Sequence, residues 1–234
     1  MMDEGISKSR PAGRVAVELL KGILAGVFLG GILFLAAGRL DWPMAWVYTG
    51  ISVVDACLLL LVVSPELMHE RTHPGPDAKP WDRVFARLTG PIGSLGTLIV
   101  AGLDIRFRGL GLVPPGLQWA GLAVFVLGMG LMTWAMAVNN YFSLVVRVQT
   151  DRGHTVVSGG PYRFVRHPGY VGGVLFQLGT PLLLGSWWAL LPAALFVPLI
   201  VVRTVLEDRT LQNELPGYAE YAQKTRYRLL PGIW

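Results

Sequence analysis

The densest concentration of reactive side chains in this 234-residue chain lies between Gln149 and Tyr170, where His154-Thr155-Val156-Val157, Gly159-Gly160-Pro161-Tyr162 and Arg166-His167-Pro168-Gly169-Tyr170 follow in quick succession. Turn formers enclose Val156 and Val157, and the glycines lack the Cβ that would hold a bound molecule away from the backbone. The N–H groups of such a loop suit an anionic group. An ordinary interhelical loop punctuated by Gly and Pro has the same composition. His167-Pro168 opens a helix, because proline is tolerated in a first turn whose N–H groups have no intrahelical partner. His167 is thereby held just outside that turn, beside donors left free for a polar ligand. Further on, Arg203 and Glu207 stand four apart, followed by Asp208. On a helix the first two share a face. They serve either as a plain ion pair or as a carboxylate for a cofactor cation with a guanidinium for a substrate anion. Asn139-Asn140-Tyr141-Phe142-Ser143 either lines a pocket or satisfies frayed helix carbonyls.

Metal chemistry is not expected. His69 and His73 have i, i+4 spacing, but Pro74 argues against a continuous helix through them and no cysteine is near. The single cysteine, Cys57, can form no internal disulfide and sits in an apolar run, where packing is its simplest use.

The elements that must position these residues are membrane helices. Apolar residues make up 53% of the chain and charged ones only 15%, too few for a water-soluble surface. Mean hydropathy is +0.50. About 20 residues cross hydrocarbon about 30 Å thick. Runs of that kind occur at about Val15 to Ala37, Ala45 to Ser64, Val84 to Leu103 and Leu117 to Val138. No charge interrupts Pro168 to Val202, a run too long for one crossing, so it is expected to fold back at Gly185-Ser186 into helices over 169–184 and 187–206. Trp187-Trp188 then marks an interface. The expected fold is therefore all-α, a polytopic helical bundle of about six membrane helices with a C-terminal hairpin. Residues 1–83 carry the first two helices and a loop, and 84–234 form the core. The C-terminal segment is expected to hold a short helix from Glu207 to about Leu215, a Pro216-Gly217 break, and another near Tyr218 to Lys224. The first apolar run lacks a cleavage site and is expected to be retained.

Three polar stretches, 65–83, 139–168 and 207–234, fall on one side of this arrangement. That side holds Lys8, Arg10, Arg14 and Lys21; Arg71, Lys79, Arg83 and Arg87; Arg147, Arg152, Arg163 and Arg166; and Arg203, Arg209, Lys224, Arg226 and Arg228. The other side keeps Arg39, Arg106 and Arg108. This asymmetry predicts both termini and the reactive loops in the cytoplasm, and it assigns the net charge of +5 to the inner leaflet's anionic lipid rather than to nucleic acid. Asp55, in mid-span, is expected to pair with a basic group of a neighbouring helix, the alternative being a protonated, packed acid.

The run Gly-Pro-Tyr, Arg-His-Pro-x-Tyr at 160–170, then an apolar hairpin, then acidic-acidic-x-x-Leu at 207–211 and a closing Gly-Tyr, Tyr and Leu-Pro-Gly resembles the isoprenylcysteine carboxyl methyltransferases and related phospholipid methyltransferases. The resemblance covers about residues 139–234, and its specificity comes from the order and spacing of motifs that are individually weak. It implies S-adenosyl-L-methionine as cofactor. Gln149, His154, Thr155, Val156 and Val157 would contact it. Tyr162 and His167-Pro168-Gly169-Tyr170 would close around it, Glu207 would complete its site, and Arg203 would face a lipid-side opening and hold the substrate. Asp208 stands where the eukaryotic prenyl-protein enzymes carry Glu, and the loop from Gln149 to His154 is short. Sequences of this kind resemble bacterial members, whose acceptors need not be prenylated proteins. The implied activity is methyl transfer to a lipophilic or prenylated acceptor, preferably the carboxylate of an isoprenylcysteine-like compound. The alternatives are N-methylation of a phospholipid amine and, in another class, a transporter or structural membrane subunit. Oligomeric state has no sequence signal.

Overall fold

The computed structural model describes residues 12–75, 77–107 and 113–234. Lys8, Arg10 and Arg108 of the orientation argument lie outside the described residues, as does the side chain of Arg14. In order, the helices are α1 (Ala12–Ala37), α2 (Pro43–Val62), α3 (Pro65–Thr72), α4 (Pro80–Leu88), a π-helical stretch (Thr89–Leu95), α5 (Gly96–Phe107), α6 (Pro115–Val138), α7 (Pro168–Leu184), α8 (Leu190–Glu214) and α9 (Tyr218–Lys224). The chain is an all-α, multi-pass integral membrane protein. Among the described residues, five segments are long and apolar enough to cross: Leu19–Ala37, Pro43–Val62, Pro80–Phe107, Pro115–Val138 and Leu190–Glu214. The sixth expected crossing, α7, has 17 residues and forms the short arm of the hairpin.

Proline opens α2, α3, α4, α6 and α7, where its missing N–H costs nothing and its fixed φ suits the helix. The hairpin corner falls where expected, with Gly185 at φ 79° closing α7, a conformation that a Cβ would strain. Asp104 of α5 fixes this corner by accepting from Ser186 Oγ at 2.6 Å.

Four expectations differ from the structure. The polar stretch 65–83, expected as a loop, contains α3 and the start of α4. Ser64 caps α3 by accepting from Leu67 N at 3.2 Å. The third crossing starts at Pro80 rather than Val84 and passes through the π turn, where Pro91 cannot donate to the helix ladder. Gln177 of α7 holds this stretch by donating to Gly93 O at 2.8 Å. The expected helix beginning at Glu207 is the last part of α8, which runs unbroken to Glu214. Asp55 meets no cation among the described residues; it accepts from Thr133 Oγ1 of α6 at 2.9 Å.

The tightest seam is between α6 and α7. A Cβ built on Gly128 would lie 2.3 Å from Phe176 N, and one on Gly172 would lie 2.7 Å from Gly128 O, so the two backbones touch directly. A core of Leu33, Phe34, Tyr48, Leu98, Phe125 and Leu183 ties α1, α2 and α5 to this pair. Large apolar side chains such as Phe28, Leu35 and Leu127 face outward, as hydrocarbon surroundings require. The connections 63–79 and 139–167 and the segment after α8 gather at one end of the bundle.

Candidate functional site

At that end the segment from Asn139 to His167 folds over the end of α6 through local hydrogen bonds. Asn139 caps its own turn by accepting from Tyr141 N at 2.9 Å and donates to Tyr162 Oη at 3.0 Å. Tyr141 Oη donates to Gly153 O at 2.9 Å, and its ring stacks on His154 with centroids 4.2 Å apart. Gln149 is fully buried, donates to Tyr141 O at 2.8 Å and accepts from Arg152. It therefore supports the wall without lining it.

Thr155, Val156 and Val157 lie outside any helix or turn, and none of their N–H or C=O groups bonds to another described residue. Unspent groups of this kind are what a ligand's hydrogen-bonding edge requires. The side chains of Val156 and Val157 pack with Tyr162, Leu215, Tyr218 and Tyr221. The two glycines at 159–160 shape the turn instead of approaching a ligand: Gly160 has φ 55°, and a Cβ there would meet Val138 at 2.9 Å.

The Arg166–Tyr170 turn is anchored by Asp208, a fully buried residue of the acidic motif whose partners the sequence did not reveal. Arg166 grips it with Nε and Nη2 at 2.8 and 2.9 Å. Arg228 Nε donates at 2.8 Å and Tyr218 Oη at 3.2 Å, and His167 Nε2 lies at 3.4 Å. Arg166 N and His167 N also donate to the carbonyls of Tyr227 and Arg228, at 2.9 and 3.0 Å. One carboxylate thus joins the loop, α8 and the C-terminal segment. Gly169 sits where a Cβ would fall 2.3 Å from the Phe142 ring, so that close approach requires glycine.

Between these elements lies a cavity with about 800 Å³ of unfilled space, part of it open to solvent. Of the residues singled out in the sequence, His154, Thr155, Val156, Val157, Tyr162, His167, Gly169, Tyr170 and Glu207 line it together. Pro168 is buried at the first position of α7 and, like Gln149, stands behind the lining. Glu207 is the one carboxylate among the described lining residues, and it accepts from Tyr170 Oη. The aromatic rings of Tyr141, Phe142, Tyr218 and Tyr221 and the guanidinium of Arg147 complete the wall.

Arg203 departs from expectation. It makes no ion pair with Glu207 and does not line the cavity. It is buried, and its Nε and Nη2 bond to Asp82 at 2.7 and 3.0 Å. Nη2 also donates to Leu144 O at 2.7 Å. Asp82, itself fully buried, takes a further bond from Val146 N at 2.7 Å. A second long-range pair joins Arg147 to Glu70, with both bonds at 2.8 Å, and Asp151 lies beside it at 2.8 Å. Neither Asp82 nor Glu70 had a local motif to mark it. The rings of His69 and His73 stack with centroids 5.0 Å apart.

Burial, followed by the charges of Arg152 and Arg147, pulls the His154 imidazole down to about 4, leaving it neutral at pH 7. Its folded value lies below the unfolded one of 6.5, so between about 4 and 6.5 the unfolded chain binds more protons. Stability should therefore fall as the pH drops through that window and be unaffected by His154 above it. Thermal unfolding of detergent-solubilised protein from pH 8 to 4 checks this: His154→Gln should flatten the decline below pH 6.5, and an identical profile would refute the assignment.

The arrangement can hold a molecule combining a cationic centre, at Glu207, with a planar ring and a hydrogen-bonding edge, along the 154–157 strand of chain. Comparisons with known proteins agree with that chemistry. Residues 117–216 match the profile of the phospholipid methyltransferase family. The chain is similar to the protein-S-isoprenylcysteine O-methyltransferase of Schizosaccharomyces pombe, 38% identical over 71 residues, which is 30% of each chain. It is 32% identical over 113 residues to the cobalt-zinc-cadmium resistance protein CzcN of Cupriavidus metallidurans, covering 46% of this chain and 51% of that one. Against the Rattus norvegicus protein-S-isoprenylcysteine O-methyltransferase, identity is 32% over 100 residues, 42% of this chain and 34% of the relative. The matched part thus spans about a third to a half of these relatives.

Proposed function

We propose, from the match of residues 117–216 to the phospholipid methyltransferase family, that this chain transfers a methyl group from S-adenosyl-L-methionine to a lipophilic acceptor. The observation that carries this is the meeting in one cavity of Glu207 with His154–Val157, Tyr162 and the His167–Tyr170 turn, although the whole hairpin separates them in sequence. The cavity fits the cofactor in kind. Its single carboxylate suits the sulfonium or ammonium group, its rings suit a purine, and the unspent backbone of 155–157 suits the purine's polar edge.

When bound, the cofactor supplies a methyl on a cationic sulfur, which an acceptor's lone pair takes in line as the carbon–sulfur electron pair returns to sulfur. The chain's residues position the partners and exclude water. Glu207, oriented by Tyr170, holds the cationic end. Tyr162, Tyr218 and Tyr221 wall off solvent, and burial keeps their phenols neutral. No metal enters this scheme.

The preferred acceptor is an isoprenylcysteine-like carboxylate, which reacts without any proton being moved. A phospholipid amine is the second acceptor class, and it must first lose a proton. Arg203 was expected to orient the acceptor. In its present contacts its Nε–Nη2 edge ties α8 to Asp82 of α4, so a two-bond contact with an acceptor through that edge requires Asp82 to release it. The concentration of basic residues at the site's end of the bundle supports a cytoplasmic location for the site and both termini.

Methyl-labelled S-adenosylmethionine, incubated with the purified protein and a total lipid and membrane-protein extract, tests this reading. A labelled lipophilic product is expected. If its label is released by base it is an ester, and if it is stable it is an amine. No labelled product, with no binding of S-adenosylhomocysteine, defeats the methyltransferase reading.

A further inference from the structure

Most cations around the cavity meet a carboxylate among the described residues. Arg147 is met by Glu70 and Asp151, Arg166 and Arg228 by Asp208, Arg203 by Asp82, and Lys79 by Glu214. Arg152 donates to Gln149 and shares the field of Glu70 and Asp151. Arg71, in the last turn of α3, has no carboxylate within ion-pair distance among the described residues. Its Nη1 donates to Phe142 O at 3.3 Å, and its guanidinium carbon lies 5.6 Å from the Phe142 ring centroid. Burial, with no acid to offset it, pulls its pKa below the usual arginine value. A partly buried guanidinium without a counter-ion costs free energy unless an anion arrives to pair with it.

Two further observations say what kind of anion. Phe142, the ring that Arg71 approaches, also lines the cofactor cavity and presses on Gly169, so Arg71 and the cavity share one aromatic side chain. Directly behind α3, Met68, Met132 and Met136 pack with Leu59 and Leu67 where α2, α3 and α6 meet. Methionine is flexible and polarisable and yields readily to an inserted apolar chain.

Resting on the methyl-transfer reading above, we propose that Arg71 receives the anionic group of the lipophilic acceptor, with the acceptor's apolar chain laid along the methionine seam of α2, α3 and α6. Arg71 is then a substrate-positioning cation separate from Arg203, whose fork is already filled by Asp82. The anionic group is a carboxylate in a prenylated cysteine and a phosphodiester in a phospholipid, and either supplies the paired oxygens that a guanidinium recognises.

Steady-state methylation by wild type, Arg71→Ala and Arg71→Lys protein in nanodiscs tests the proposal, with two probes: an N-acylated S-prenyl cysteine and phosphatidylethanolamine. Arg71→Ala should raise KM for the methylated probe by about 10- to 100-fold, the loss of a charge-assisted contact, with kcat within about threefold. Arg71→Lys should restore part of that loss. Affinity for S-adenosylhomocysteine, measured by calorimetry, should stay within about twofold, which a merely structural role would not spare. The probe whose KM rises identifies the carboxylate or the phosphodiester as the group bound. Unchanged KM in Arg71→Ala, or a parallel fall in S-adenosylhomocysteine affinity, overturns the Arg71 assignment alone. A wild-type protein that binds S-adenosylhomocysteine but methylates neither probe overturns it together with the acceptor class. Failure to bind S-adenosylhomocysteine overturns the methyl-transfer reading itself.

Discussion

Glu207→Ala lowers the affinity for S-adenosylhomocysteine by about 10- to 100-fold, because a charged hydrogen bond contributes about 1.5–3 kcal/mol and each 1.4 kcal/mol is tenfold in binding. The size of the effect follows from the lining: no other described residue there supplies a carboxylate, so nothing substitutes for the lost charge. Glu207→Gln separates charge from shape. It should weaken S-adenosylmethionine more than S-adenosylhomocysteine, since only the former carries positive charge on sulfur. Tyr170→Phe, which removes the hydroxyl donating to Glu207, should have a smaller effect in the same direction. Calorimetric titration of the three variants with both compounds checks the order, and an unchanged affinity in Glu207→Ala removes this residue from the site.

Asp208→Ala should be the most damaging single substitution for stability. It leaves the buried Arg166 guanidinium and the neighbouring Arg228 without their shared anion, and breaking a buried pair from one side costs about 3–5 kcal/mol. Native stability is typically about 5–15 kcal/mol, so a large part of the margin disappears. The loss should be local in origin, because Asp208 holds the Arg166–Tyr170 turn and the C-terminal segment to α8. Thermal unfolding in detergent should show a clear fall in Tm, and limited proteolysis should open the segment after Leu215 first. Asp208→Asn keeps part of the hydrogen bonding and should fall between. A variant as stable and as resistant as wild type contradicts this account of the clamp.

Much of the architecture could be read from the sequence because its signals are local. The uncharged run from Pro168 to Val202 was too long for one crossing, and Gly185 marked where it turns. Proline marked helix starts that the structure keeps. The motif residues at 154–157, 162, 167, 169–170 and 207 are brought to one cavity, an arrangement that the resemblance implied but spacing alone could not establish. What was not legible depends on distant partners. Arg203 and Glu207, four apart, read either as a local ion pair or as separate substrate and cofactor contacts, yet Asp82, 121 positions away, takes the guanidinium while Tyr170 takes the carboxylate. Glu70 and Arg147, 77 positions apart, pair in the same unheralded way. The glycines at 159–160 pointed to a ligand because their backbone freedom was visible and the side chain of Val138 that fills the space beside them was not.

The glycine contacts between α6 and α7 have a mechanical consequence. Where two backbones touch, at Gly128 and Gly172, there are no interleaved side chains to repack, so the pair should travel as a rigid beam during any breathing of the bundle. A bulky guest must then be admitted by displacement of the shorter, softer pieces around that beam.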